Sequence, residues 1–319
     1  MKIIFMGTPD FAETVVDEVY KAGHEIVLCV CQPDKPVGRS GKLSAPPVKR
    51  WALEHNIPVF QPERIKRPEA VEELRKYDAQ MFLVAAFGQI LSKEILDMPK
   101  FGCVNVHASL LPKYRGAAPI QWAVIDGEEY SGVTTMQMGV GLDDGDMLLK
   151  EEVKLEPDET GGSLFDKLAV VGGQLAVRTI LAAEKGELCP VPQDESKATH
   201  VGMISKSLGN IDFNKSAVEI ERLIRGLNPW PSAFTYLDGK LLKFYKAAVV
   251  EIEGSVEFEE KDKTPGTVIK CDGKELIVAC GKGTALSILN LQIEGKKAMD
   301  IEDFLRGRSV AIGTRLGNN

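Results

Sequence analysis

Lys2-Ile3-Ile4-Phe5-Met6-Gly7-Thr8-Pro9-Asp10-Phe11-Ala12 opens the chain with an unbroken apolar run, a Gly-Thr-Pro turn and the start of a helical pattern. An apolar run without polar alternation suits a strand buried on both faces, and such strands belong to parallel sheets covered by helices. The pattern recurs: residues 2–6, 26–31, 80–86, 103–106 and 133–138 read as strands, and residues 11–22, 47–55, 68–77 and 119–125 as helices. A longer helix is predicted over 163–184, with Leu164, Leu168, Val171 and Leu175 at helical spacing. The first half is therefore predicted to be an α/β, doubly wound, Rossmann-like domain. A dinucleotide-binding dehydrogenase of that class would need Gly-x-Gly-x-x-Gly after its first strand; here Pro9 and Ala12 stand where the second and third glycines belong.

Beyond residue 189 the alternation stops. The stretch 190–207 is rich in proline and polar residues and reads as a linker between a domain at 1–189 and a second one at 208–319. In the latter, residues 217–227 form one amphipathic helix. Strands at 234–237, 241–251, 266–271, 275–279 and 286–293 are punctuated by Asp238-Gly239 and Asp272-Gly273, which predicts a smaller, mostly antiparallel, OB-like β-barrel. The total of 319 residues suits two domains.

With 44% hydrophobic and 27% charged residues, the chain has the composition of a soluble globular protein, not of a disordered or fibrous one. Its opening apolar run is too short to span a membrane and is broken too early for a signal peptide, so a membrane partner is not expected. The six cysteines have no Cys-x-x-Cys spacing and read as reduced residues of a cytoplasmic protein. The net charge of −7 excludes a chain that binds nucleic acid through overall positive charge. One local patch is basic: Lys35, Arg39, Lys42, Lys49 and Arg50 fall within sixteen residues. On composition alone that stretch is a solvated surface loop.

Two clusters carry the candidate chemistry. In Asn105-Val106-His107-Ala108-Ser109-Leu110-Leu111-Pro112-Lys113-Tyr114-Arg115-Gly116 the alternation of an extended segment puts Asn105 and His107 on one face at the end of a strand, where ligands of doubly wound sheets bind. Taken alone, His107 is a core histidine bonded to a backbone carbonyl. In Gly139-Val140-Gly141-Leu142-Asp143-Asp144-Gly145-Asp146 the glycines permit tight backbone geometry, and the acids could orient His107 or accept a proton. Any one of the three aspartates could serve on that reading. The twelve-residue calcium loop pattern is missing, so no metal is expected.

These two strings, with the opening FMGTPDFA, the loop DKPVGRSGKL, AAFGQIL at 85–91 and NPWPSA at 228–233, resemble the folate-dependent formyltransferases over essentially the whole chain. The resemblance implies 10-formyltetrahydrofolate as co-substrate and initiator methionyl-tRNA as acceptor, in a cytoplasmic monomer that needs no metal. It places catalysis on Asn105, His107 and Asp143. It places the folate contacts on Ser109, Leu110, Leu111 and Pro112, with further pocket around Phe87, Gly88, Gln89, Ile90 and Val140. It gives Lys35, Arg39 and Lys42 a role in binding tRNA. Asp144 departs from the uncharged residue expected there, and adjacent carboxylates disfavour each other's charge. A formyltransferase acting on a small amine is the competing reading; the β domain and the basic loop favour a macromolecular acceptor.

Overall fold

The computed structural model describes residues 1–37, 41–250 and 264–317. Their contacts separate into two compact units whose segments alternate along the chain. The first comprises Met1–Pro119, Tyr130–Lys154 and Phe165–Val201; the second comprises Ile120–Glu129, Leu155–Leu164 and Gly202–Asn319.

In the first unit the strands are β1 (Lys2–Gly7), β2 (Glu25–Val30), β3 (Lys35–Val37), β4 (Lys42–Ser44), β5 (Val59–Phe60), β6 (Met81–Ala85), β7 (Cys103–His107), β8 (Arg115–Gly116), β9 (Tyr130–Gln137), β10 (Met147–Lys154) and β11 (His200–Val201). The helices, in chain order, are α1 (Asp10–Lys21), α2 (Pro47–Glu54), α3 (Pro68–Arg75), α4 (Lys93–Leu96), α5 (Pro119–Asp126) and α6 (Gly161–Lys185); most of α5 and the first turn of α6 fall in the second unit. Seven strands form the main sheet in the order β10-β9-β7-β6-β1-β2-β5. Ile3, Ile4, Phe5 and Met6 have no exposed surface, as a central parallel strand demands. Gly7 closes β1 because a Cβ there would lie 2.5 Å from Ala12 Cβ and 2.8 Å from the Ala85 carbonyl oxygen; only glycine lets α1 start so close to the sheet. α1 buries Phe11, Ala12, Val15, Val16 and Val19 along one stripe.

The sheet departs from uniform parallel pairing on one side. β9, expected as one more parallel strand, runs antiparallel to β7, and β10 then pairs antiparallel with β9 as the sheet edge. A β9–β10 hairpin needs no helical crossover, so its connection at 138–146 can be a short glycine-rich loop lying against β7. β10 escapes the sequence reading because an edge strand carries charges; Lys150, Glu151, Glu152 and Lys154 hide its alternation.

The second unit has β12 (Ala233–Leu237), β13 (Lys240–Val250), β14 (Val268–Cys271), β15 (Leu276–Ala279), β16 (Ala285–Ile293) and β17 (Met299–Asp300), with helices α7 (Ala217–Gly226) and α8 (Ile301–Gly307). The antiparallel order is β12-β13-β16-β15-β14, with β17 on β16. Phe244, Leu242, Val278, Ile288 and Leu291 form its core with Ile220 and Ile224 of α7 and Phe304 of α8. A reciprocal capping box between Ser216 and Glu219 starts α7. Asn228-Pro-Trp-Pro231 has two cis peptide bonds, at Asn228-Pro229 and Trp230-Pro231, and its Trp230 is 57% exposed.

All six cysteines are free: Cys29, Cys31, Cys103 and Cys280 are buried, Cys271 is half-buried, and Cys189 alone is exposed. Burial raises the thiol of Cys31 to about 11 and those of Cys103 and Cys280 to about 12.

Candidate functional site

β7 ends in Asn105-Val106-His107, whose alternation sends Val106 into the core and the two polar side chains to the other face. His107 is 6% exposed. Its Nε2 lies 2.9 Å from the carbonyl oxygen of Tyr114, a residue held at φ 60°. A carbonyl can only accept, so Nε2 carries the proton, and Nδ1 turns to Asp143 with Oδ2 3.7 Å away. A neutral His107 is therefore an acceptor at Nδ1, and it donates there only as the imidazolium.

Asp143 reaches this point from the loop between β9 and β10, where it holds the left-handed conformation at φ 50°. Its Oδ2 accepts the Gly116 backbone N–H at 2.9 Å, and Asn105 Nδ2 donates to its Oδ1 at 3.5 Å. Asp143 is thus the one of the three candidate aspartates that meets both Asn105 and His107. The contacts at 3.5 and 3.7 Å are longer than optimal hydrogen bonds.

Beneath these groups the segment 109–112 is tied into the sheet. Ser109 Oγ donates to Lys113 O at 2.7 Å, and Thr134 Oγ1 donates to Ser109 O at 2.7 Å while accepting the Leu111 N–H at 3.1 Å. Lys150 Nζ donates to Leu111 O, and desolvation holds that ammonium below the usual lysine range. Leu111-Pro112 is a cis peptide bond. Ser109 and Leu111 are buried framework, leaving Leu110 and Pro112 half-buried at the surface.

The remaining residues expected to line a folate pocket divide in two. Phe87 is buried, and its carbonyl accepts from Thr8 Oγ1 and Gln32 Nε2; Gln89 braces the 62–65 loop, accepting the Ile65 N–H at 2.7 Å and donating to Pro62 O at 3.1 Å. Gly88 takes φ 80° between them. Ile90 and Val140, by contrast, are 77% and 74% exposed, and Leu142 beside Asp143 is 61% exposed. Both loops are rooted in one hydrophobic cluster, which holds Phe87 and Leu91 with Met138 against it.

Lys35 and Lys42 lie on a two-stranded ribbon, with Lys35 opposite Ser44 and Val37 opposite Lys42. Arg39 lies outside the described residues. Lys49, counted among the five cations of the stretch, is paired with Asp34 at 2.8 Å, and Arg50 donates to Ala45 O. Among the described residues no group of three or more His, Cys, Asp or Glu side chains is placed to hold a metal ion, and no helix is long and apolar enough to cross a membrane.

Three residues beside the site have no role in the sequence reading: Arg115, Gln193 and Glu195. Arg115 is 3% exposed and grips Glu195 through two hydrogen bonds of 2.7 and 3.1 Å. Its Nε donates to Gln193 Oε1 at 2.9 Å. Gln193 and Glu195 sit in a polar, proline-flanked stretch that reads as linker, and no local periodicity marks them.

The description "Formyl transferase" fits residues 1–180 and "Formyl transferase, C-terminal domain" fits residues 203–309. The chain is 55% identical over 317 residues to the methionyl-tRNA formyltransferase of Lachnospira eligens, covering 99% of this chain and 100% of that one. It is also 55% identical over 314 residues to the methionyl-tRNA formyltransferase of Agathobacter rectalis, covering 98% and 99%. Among solved structures it shares its fold with WlaRD, a sugar 3N-formyl transferase solved with dTDP and 5-N-formyl-THF, at TM-score 0.64 and 18% identity over 93% of this chain and 99% of that one. HypX from Aquifex aeolicus, solved with tetrahydrofolic acid, matches at TM-score 0.61 and 16% identity over 96% of this chain and 47% of that one. With both halves matched in order and relatives this similar from end to end, the chain belongs to the formyl transferase family.

Proposed function

We propose that this chain transfers the formyl group of 10-formyltetrahydrofolate to the α-amino group of methionyl-initiator tRNA, the reaction that readies that tRNA for translation initiation. The observation that carries the site assignment is the convergence of Asn105, His107 and Asp143 from two separate segments. In the reaction the amine nitrogen forms a bond to the formyl carbon, giving a tetrahedral intermediate. The carbon–N10 bond then breaks, and the proton lost by the amine ends on N10 of tetrahydrofolate. Asn105 Nδ2 is placed to donate to the developing oxyanion. Neutral His107 accepts the amine proton at Nδ1, and Asp143 stabilises the resulting imidazolium and relays its proton. Residues 1–189 supply the catalytic groups, 190–207 connect the two domains and brace the site on the way, and 208–319 help dock the tRNA. The protein works as a cytoplasmic monomer, with Ile90, Val140 and the 109–112 segment against the folate.

The test is product formation from 10-formyltetrahydrofolate with methionyl-initiator tRNA, an elongator tRNA, and glycinamide ribonucleotide or an amino-sugar nucleotide as parallel acceptors. Formylation confined to initiator tRNA is expected. Formylation of a small amine alone would replace the acceptor and keep the chemistry, and no product with any acceptor would overturn the reading.

Lys35, Arg39 and Lys42 are assigned to tRNA phosphates. Lys35→Ala and Arg39→Ala should each weaken tRNA binding and lower the slope of log affinity against log salt by about 1, while single-turnover transfer at saturating tRNA stays near parental. An unchanged salt slope removes that residue from the interface.

A further inference from the structure

We propose that Gln193 is a positioning residue that locks Asp143 into its working conformation, an inference that rests on Asp143 being a catalytic group. Its Nε2 donates to two carbonyl oxygens of the catalytic loop at once, those of Asp143 and Gly145, each at 2.8 Å. Its Oε1 accepts from Arg115 Nε at 2.9 Å. Both N–H groups and the oxygen of the amide are therefore engaged, so its orientation is fixed from both ends.

Asp143 needs such a hold. Non-glycine residues populate the left-handed region sparsely, and the surrounding structure must hold that conformation in place. Gln193 supplies the constraint on the main-chain side, while the Gly116 N–H fixes the carboxylate at 2.9 Å. The two restraints share one source, because Gly116 and Arg115 together form β8. That strand is itself fixed by pairing with β11, His200 to Arg115 and Val201 to Gly116. Val191 and Met147 exchange two further backbone hydrogen bonds of 2.8 and 2.9 Å just beyond the catalytic loop. Residues 191–201, which read as a featureless linker, are thus the outer wall of the site.

Charge acts in the same direction. Arg115 is held above its usual range chiefly by its hydrogen bond to Glu195, with Asp144 and Asp143 contributing. A buried guanidinium thus lies beside the carboxylates of the loop.

The decisive variant is Gln193→Glu in the full-length chain, since a carboxylate keeps the shape and the acceptor for Arg115 but removes both donors. Circular dichroism and a thermal melt establish that it is folded, and Gln193→Ala in parallel removes the acceptor as well. In Gln193→Glu, kcat should fall by about 10–100-fold with KM for both substrates close to parental, the scale of losing a group that orients a reacting residue. Introduced into Asp143→Asn, the same change should cause no further loss, because a residue acting through Asp143 has nothing left to position. A Gln193→Glu enzyme within about twofold of parental kcat, or a loss that multiplies undiminished in the Asp143→Asn background, overturns the proposal. Near-parental turnover by Asp143→Asn itself would instead overturn the catalytic role of Asp143, an outcome distinguishable from failure of Gln193→Glu alone.

Discussion

Replacing His107 by alanine should leave the protein folded and able to bind tRNA while single-turnover formyl transfer drops by about 10²–10⁴-fold, the usual contribution of a positioned acid–base group. The site geometry makes the loss specific. Nε2 is committed to the Tyr114 carbonyl, which fixes the tautomer, so Nδ1 is the ring atom that can take a proton in front of Asp143. Alanine removes that atom and strands a carbonyl, at a cost of about 1–3 kcal/mol in stability, below the 5–15 kcal/mol that typically holds a folded protein together. Rapid-quench measurement of transfer with saturating substrates, alongside a melting curve, separates the two effects. Transfer near the parental rate in a folded His107→Ala protein would end its assignment.

Gly145→Ala should be nearly as damaging without removing any functional atom. A Cβ at this position would fall 1.8 Å from the Gln137 carbonyl oxygen and 3.3 Å from the Gly139 nitrogen, both main-chain atoms that cannot rotate away. The loop must shift, and it carries Asp143 two residues earlier. A displacement near 1 Å is worth about 10² in rate, so kcat should fall by that factor, together with a lowered melting temperature. A variant with parental kcat would mean that the loop can relax without moving its carboxylate.

Much of this architecture is legible from residue pattern because burial imposes it. The run Ile3–Met6 is apolar on both faces since both are covered, and Asn105 and His107 break the apolar pattern of β7 at its C-terminal end. The resemblance of the two motif strings then narrows three equivalent aspartates to one, and the φ 50° backbone of Asp143 shows why position matters more than residue type there. What escapes is structure whose signal is not periodic. β10 is an edge strand patterned by charge, and the ribbon of β3 and β4 is too short and too polar to register. Gln193 and Glu195 escape for a different reason: their partners lie about fifty and eighty residues away, at Asp143 and Arg115, and no local rule connects amide and guanidinium across that distance.

The burial of the thiols gives the protein a built-in set of reporters. A disulfide reagent reacts with thiolate, and desolvation keeps Cys31, Cys103 and Cys280 protonated until the surrounding structure opens. Cys29, Cys31 and Cys103 belong to the first unit and Cys280 to the second, so modification kinetics read the opening of each unit separately. Cys189, exposed and four residues before Gln193, accepts a label in the native state and converts the outer wall of the site into an optical signal without a single substitution.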